Sequence, residues 1–136
     1  HCHVGFGAWL GGMTVFHQNV RIGDMAIISG FSASRQDILP YSKGEGRPPV
    51  PSGLNVVAMR RRGVSKEDRI NTNEAFKLLV SPEYNTTQAI EKIKETIPMN
   101  EYIENMIKFI QDSKRGVLLK SHKTGHHSLE AEDIEE

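Results

Sequence analysis

A single cysteine, Cys2, rules out an internal disulfide framework and fits a reducing compartment. No apolar run approaches the roughly 20 residues that span a bilayer, and no basic-then-apolar leader precedes a cleavage site. The expectation is therefore a soluble, cytoplasmic protein without membrane insertion. The chain begins at His1, not at Met, within patterned sequence, which suggests a processed product or a piece of a longer protein. Net charge is also lacking: 17 Lys and Arg stand against 17 Asp and Glu over 136 residues. That balance hides a segregation. Residues 129–136 carry five acids and no base, which leaves the rest of the chain with five more positive than negative charges. Within residues 20–63 seven bases (Arg21, Arg35, Lys43, Arg47, Arg60, Arg61, Arg62) face three acids (Asp24, Asp37, Glu45). So small a patch suits a phosphate-bearing small molecule or an acidic protein, not nucleic acid, which usually needs a wider basic track with stacking aromatics.

What the sequence does have is a repeat. Large apolar residues recur every six positions at Val4, Leu10, Phe16, Ile22 and Ile28. Four residues after each comes a smaller one: Ala8, Thr14, Val20, Ala26, Ser32. A period of six fits neither an α-helix nor a simple hairpin series. It fits a hexapeptide β-helix, in which each short strand is one wall of a coil, the large residue fills the axis and the small one the inward corner. Only about two coils are present, fewer than the three repeats such folds usually need, so an open strand edge and weak stability or aggregation are expected of this chain alone.

The register bears on the histidine-rich start, "HCHVGFG". Imidazole and thiolate are common zinc ligands. Counting back, however, Cys2 falls on the small inward position while His1 and His3 point to the other face, so the three do not converge on a metal. Cys2 is expected to be a small buried residue. His17 follows the inward Phe16 and faces outward as well. Outward imidazoles on a rigid wall are open to a ligand or a neighbouring subunit, or are simply solvated surface groups, and the pattern leaves both open.

After Ser34 the rhythm fades. Four prolines and three glycines within Pro40 to Gly53 mark irregular chain. Lys43, Arg47 and the following "NVVAMRRRG" favour a loop that packs over the end of the solenoid and brings polar groups to a site. The second half reads as helices. Ser65 and Asp68 make a capping-box-like start, with Ile70, Ala75, Phe76, Leu78 and Leu79 on the apolar side. A second helix runs from about Thr87 to Ile97 and stops before Pro98. The third carries Tyr102, Ile103, Met106, Ile107 and Ile110, with Asn100 as cap and Gly116 beyond its last turn. Such short helices must pack on something. The expected organisation is coils of a β-helix over residues 1–39, a basic Pro/Gly-rich connecting and binding loop over 40–63, a helical domain over 64–119, and a disordered acidic tail over 120–136. A metal-chelating role for the tail histidines His122, His126 and His127 is disfavoured.

The stretches "GGMTVFHQNVRIGDMAIISG", "GLNVVAMRRRGVSKED" and "SKRG" resemble the C-terminal part of the acyl-carrier-protein-dependent UDP-N-acetylglucosamine O-acyltransferases that begin lipid A synthesis, over roughly residues 1 to 119. The resemblance implies a homotrimer of left-handed parallel β-helices, each followed by a small C-terminal helical domain, with active sites between subunits and no cofactor. The reaction it implies moves an R-3-hydroxyacyl chain from acyl carrier protein to the sugar 3-hydroxyl. It needs a general-base histidine, which would lie about twenty residues before His1 and so outside this chain. The chain alone is then expected to be inactive.

Residue by residue, the resemblance makes His1, His17 and Gln18 substrate-facing, and makes Asn55, Arg61 and Arg62 nucleotide-binding, since guanidinium forks match a diphosphate. It gives the backbone amide of Gly12 an oxyanion-type contact with the acyl carbonyl. Gly30 would set acyl-chain length, leaving room for a long chain. The bases near the coil would attract the acidic carrier. An "RRR" triplet can also be a mere solvated face. Val57 stands where many members place an acid, and "YSKGEGRPP" departs from the family's loop. A 3-amino sugar acceptor, another hexapeptide transferase, or a non-catalytic nucleotide-binding paralogue therefore stay open.

Overall fold

A computed structural model describes residues 1–120; the expected tail, with its three histidines, lies from residue 121 onward outside the described residues. The chain starts as a three-walled coil of two-residue strands: β1 (His3–Val4), β2 (Trp9–Leu10), β3 (Val15–Phe16), β4 (Arg21–Ile22), β5 (Ile27–Ile28) and β6 (Ala33–Ser34). Pairing is parallel, with His3 facing Arg21, Trp9 facing Ile27 and Val15 facing Ala33, eighteen residues apart each time. Three walls of six residues make one coil. At the corners Gly7, Met13, Asn19, Met25 and Phe31 all have positive φ, between 55° and 68°. Left-handed backbone costs a non-glycine residue roughly 1–2 kcal/mol, which stacking of successive coils must offset. Stacking also demands glycine inside two turns. A Cβ on Gly11 would lie 2.3 Å from the Gly30 nitrogen, and one on Gly23 2.4 Å from the Pro40 nitrogen.

The six-residue pattern lines the coil axis. Val20, Ile22, Ala26 and Ile28 are buried and pack with Ile38 and Leu118, while Ala8, Leu10 and Phe16 are partly buried against them. Burial falls away toward the first coil, where Val4 is 53% exposed. Cys2 follows this gradient. It is exposed, with its Sγ donating to the His17 carbonyl at 3.3 Å, which corrects the expectation of a buried thiol. The position is the small inward one, but no coil lies over it.

The second coil is two residues short at its third corner. β7 (Asp37–Ile38) follows β6 directly, so that Ile22 faces Ile38, sixteen residues on. Residues 42–54, expected as irregular loop, instead form an antiparallel hairpin of β8 (Ser42–Gly46) and β9 (Pro49–Leu54), and β8 continues the second wall in parallel with β5. Proline is tolerated because β9 is the edge strand, where a missing N–H breaks no ladder.

Four helices follow: α1 (Val56–Arg61), α2 (Lys66–Val80), α3 (Thr86–Thr96) and α4 (Glu101–Asp112). Ser65 caps α2 by accepting from the Asp68 N–H, Asn85 and Gln88 form a full capping box on α3, and Asn100 caps α4 through the Ile103 N–H. Ile70, expected on the apolar side of α2, is 52% exposed, and the buried Thr72 takes that side instead, bonded to Asn100. The helices pack their apolar faces (Ala75, Phe76, Leu79, Ile90, Ile93, Ile103, Met106) into one core with Met25, Leu39, Tyr41 and Leu54 of the coil's end. The chain then returns. β10 (Val117–Leu118), at the end of the expected helical domain and past its last helix, pairs in parallel with β7 and extends the first wall. No helix among the described residues is long and apolar enough to cross a membrane.

Candidate functional site

Each corner of the coil carries a different subset of the expected residues. At the first corner Arg62, the C-cap of α1, lays its guanidinium over the Phe6 ring at 4.1 Å from the ring centre. A Cβ on Gly7 would come within 2.8 Å of an Arg62 guanidinium nitrogen, so glycine lets the arginine lie against the turn. The Phe6 amide donates to Asp24 Oδ1 at 2.8 Å, which fixes the ring's backbone. Arg61 is exposed and has no partner among the described residues. Asn55 is different. It is buried, its amide nitrogen donates to the Met25 carbonyl at 2.9 Å, and its carbonyl oxygen caps α1 through Ala58 N–H. Its side chain ties the arginine-bearing helix to the coil. Asn55, expected to bind the nucleotide, thus lies beneath α1 in the single chain.

The second corner joins Gly12 and Gly30. The Gly12 carbonyl accepts from the Phe31 N–H at 3.0 Å, while the Gly12 N–H has no acceptor among the described residues. A Cβ on Gly12 would meet nothing within 4 Å, whereas one on Gly30 would sit 3.0 Å from the Gly12 oxygen. Arg47, at the hairpin tip, donates from Nε to the Phe31 carbonyl at 2.8 Å.

The third corner holds His17 and Gln18, both exposed, with His1 exposed at the start of the chain. Arg115 reaches it from beyond α4: Nη2 is 2.7 Å from His17 Nδ1, and Nη1 donates to the Arg35 carbonyl at 3.2 Å. Between this corner and the hairpin tip runs a groove of about 750 Å³ over the third wall. The outward residues Val15 and Ala33 line it together with Pro48 and Val50, and His17, Arg35, Gln36 and Arg47 add polar groups. An apolar trough edged by guanidinium groups can hold a chain-like apolar group next to a phosphate or other oxyanion. Of the expected residues, His17 alone lines this groove. Arg35 had been counted only in a general basic excess, and Arg47 also in the loop expected to bring polar groups to a site. Arg115 lay in the quoted "SKRG" without a role.

A smaller cleft of about 210 Å³ separates the first wall from α4, lined among others by His3, Arg21, Asp24, Asn105 and Phe109. Arg21 stacks over Phe109 at 4.3 Å. Asn105 Nδ2 bridges Tyr41 Oη at 2.8 Å and Asp24 Oδ2 at 3.4 Å. Burial pushes the Tyr41 phenol above its ordinary value of 10.0, the Asn105 hydrogen bond works the other way, and the Asp24 charge adds to the rise.

Comparison with known proteins matches residues 37–118 to the family model described as UDP-N-acetylglucosamine O-acyltransferase, domain 2. A protein of Nautilia profundicola named acyl-[acyl-carrier-protein]--UDP-N-acetylglucosamine O-acyltransferase is 37% identical over 108 residues, covering 79% of this chain and 41% of that protein. The protein of the same name from Myxococcus xanthus is 32% identical over 108 residues, covering 79% and 42%. Among solved structures, the UDP-N-acetylglucosamine acyltransferase of Bacteroides fragilis superposes with a TM-score of 0.80 at 32% identity, over 85% of this chain and 46% of that one. The Campylobacter jejuni structure gives 0.77 at 32%, over 88% and 46%. The chain thus spans less than half the length of the relatives it matches.

Proposed function

Because the chain belongs to the UDP-N-acetylglucosamine O-acyltransferase family, we propose that it supplies the C-terminal coils and helices of an enzyme that transfers an R-3-hydroxyacyl group from acyl carrier protein to the 3-hydroxyl of UDP-N-acetylglucosamine, the opening step of lipid A synthesis. What carries this is the family match across residues 37–118, which takes in the hairpin, the arginine-bearing α1 and the return strand β10. The coil takes the family's left-handed sense. In the reaction the sugar oxygen attacks the thioester carbonyl, a base upstream of His1 takes the hydroxyl proton, and the carrier thiolate leaves and is protonated. The Gly12 N–H donates to the carbonyl oxygen as it gains charge. Arg61 and Arg62 hold the diphosphate. His17 and Gln18 meet the sugar and phosphate side, His1 faces the substrate, and Asn55 fixes α1 beneath the nucleotide. Gly30, packed on Gly12, bounds the acyl chain.

These groups sit on three separate corners, so a single chain does not bring them to one point. A ring of three chains that sets a corner of one against a corner of the next supplies the missing adjacency, which supports the homotrimer. A single cysteine without a disulfide suits a reducing cytoplasm. The test is to express the full-length protein that contains this chain and assay acyl transfer from 3-hydroxyacyl carrier protein to UDP-N-acetylglucosamine, with the 136-residue chain as control. Turnover by the full-length protein alone is expected. A full-length protein that binds the nucleotide but never transfers acyl would overturn the enzymatic reading. Turnover on a 3-amino sugar alone would move the acceptor from oxygen to nitrogen.

A further inference from the structure

We propose that Arg115 fixes the tautomer of His17, making it a hydrogen-bond donor to substrate and barring it from taking a proton. The inference rests on the reading of His17 as a substrate-facing group. Two contacts compete for His17 Nδ1: Arg115 Nη2 at 2.7 Å and the Gln18 carbonyl at 3.3 Å. They demand opposite protonation. A guanidinium has N–H donors only and stays charged, so opposite it Nδ1 must present its lone pair. A carbonyl only accepts, so opposite it Nδ1 must carry the hydrogen. The arginine contact is shorter and charge-assisted, and therefore wins. The single proton of the neutral ring is then on Nε2. An Nε2–H can donate to a carbonyl, hydroxyl or phosphoryl oxygen and has no lone pair with which to abstract a proton.

Delivery of Arg115 follows from the fold. The third corner of the second coil is two residues short, and Asp37 N–H there bonds the Gly116 carbonyl at 2.9 Å. Beside that bond Arg115 is half-buried, with Nη1 held by the Arg35 carbonyl. Its reach to His17 runs from just before β10, the fourth strand of the first wall, down to the third corner of the first coil. Arg115 is thus a positioning residue that acts through His17.

The test is ¹⁵N-histidine NMR of the full-length protein, wild type and the variants Arg115→Lys and Arg115→Met, with and without UDP-N-acetylglucosamine, alongside steady-state kinetics. The wild type is expected to show the Nε2–H form at His17. Arg115→Lys, which keeps a charged donor, should retain it, and Arg115→Met should pass to Nδ1–H on the Gln18 carbonyl. With the donor turned away, KM for the nucleotide sugar should rise about 10- to 100-fold, the span of one hydrogen bond to a charged group. An Nδ1–H wild type, or an unchanged tautomer in Arg115→Met, overturns the proposal. The wild-type spectrum alone decides the matter should Arg115→Met fail to fold. A tautomer that follows Arg115 while nucleotide leaves the His17 signals unmoved upholds the arginine's control and removes His17 from the substrate site.

Discussion

Asp37 and Ser113 are joined by a 2.7 Å hydrogen bond from the serine hydroxyl, the C-cap of α4, to a carboxylate that is 1% exposed on the first wall. The other carboxylate oxygen accepts from the Arg21 N–H at 2.8 Å. One acid thus ties helix end to coil. Asp37→Ala leaves both donors without an acceptor and should cost about 2–4 kcal/mol, against about 1 kcal/mol for Ser113→Ala. Urea unfolding of the full-length protein checks the pair, and equal losses would contradict the two-sided role.

Gly11 and Gly12 are neighbours with opposite tolerance. A Cβ at Gly11 strikes the backbone of the coil above, while one at Gly12 enters open space. Gly11→Ala should destabilise by roughly 1–3 kcal/mol or more. Gly12→Ala should melt like wild type yet lose about 10- to 100-fold in kcat, since its methyl crowds the approach to an oxyanion donor. Unchanged kcat in Gly12→Ala would remove that amide from the reaction.

Arg62 and Phe6 form a cation–π contact on the first corner. Replacing the ring by Phe6→Leu should raise KM for UDP-N-acetylglucosamine by about two- to fivefold, matching the ~0.5–1 kcal/mol of an exposed contact. Arg62→Ala, which removes the charge as well, should raise it by about 10- to 100-fold. The comparison fails if the leucine variant is the weaker binder.

Tyr41 makes stability depend on alkaline pH. Its folded value lies above the ordinary 10.0 because burial disfavours the phenolate, so the stabilisation is complete below about pH 10 and is lost as pH rises through the folded value. Tyr102, packed edge-to-face on it at 5.7 Å, is also raised, by burial first. Tyr41→Phe should lose about 1 kcal/mol at neutral pH with the Asn105 bond and show a shallower fall above pH 10. Parallel pH profiles for the two proteins would assign the alkaline loss elsewhere.

Much of this architecture is local and therefore readable in the chain. The six-residue spacing named the axis residues, and Val20, Ala26 and Ile28 are fully buried. Ser65 and Asn100 cap the helices they mark. What escaped depends on partners far along the chain. Prolines 49 and 51 read as loop because the pattern does not reveal an edge strand. β10 has two residues, too few for any period to register. Cys2 occupies an inward position, yet no coil among the described residues covers it. Candidate residues for a ligand could be named from "HQ" and "RRG", yet their division among three corners is a property of the coil. The Arg115–His17 contact spans 98 positions and leaves no local signal.

The return strand also sets an order in time. A ribosome delivers the coils first and Leu118 after all four helices, at about 5–20 residues per second. Until Leu118 arrives, Ile38 lacks the neighbour that covers it, and Arg115 cannot reach His17. The nascent coil therefore waits several seconds with an unfinished wall, and the groove acquires its final hydrogen-bonding character only once Arg115 has followed the helices.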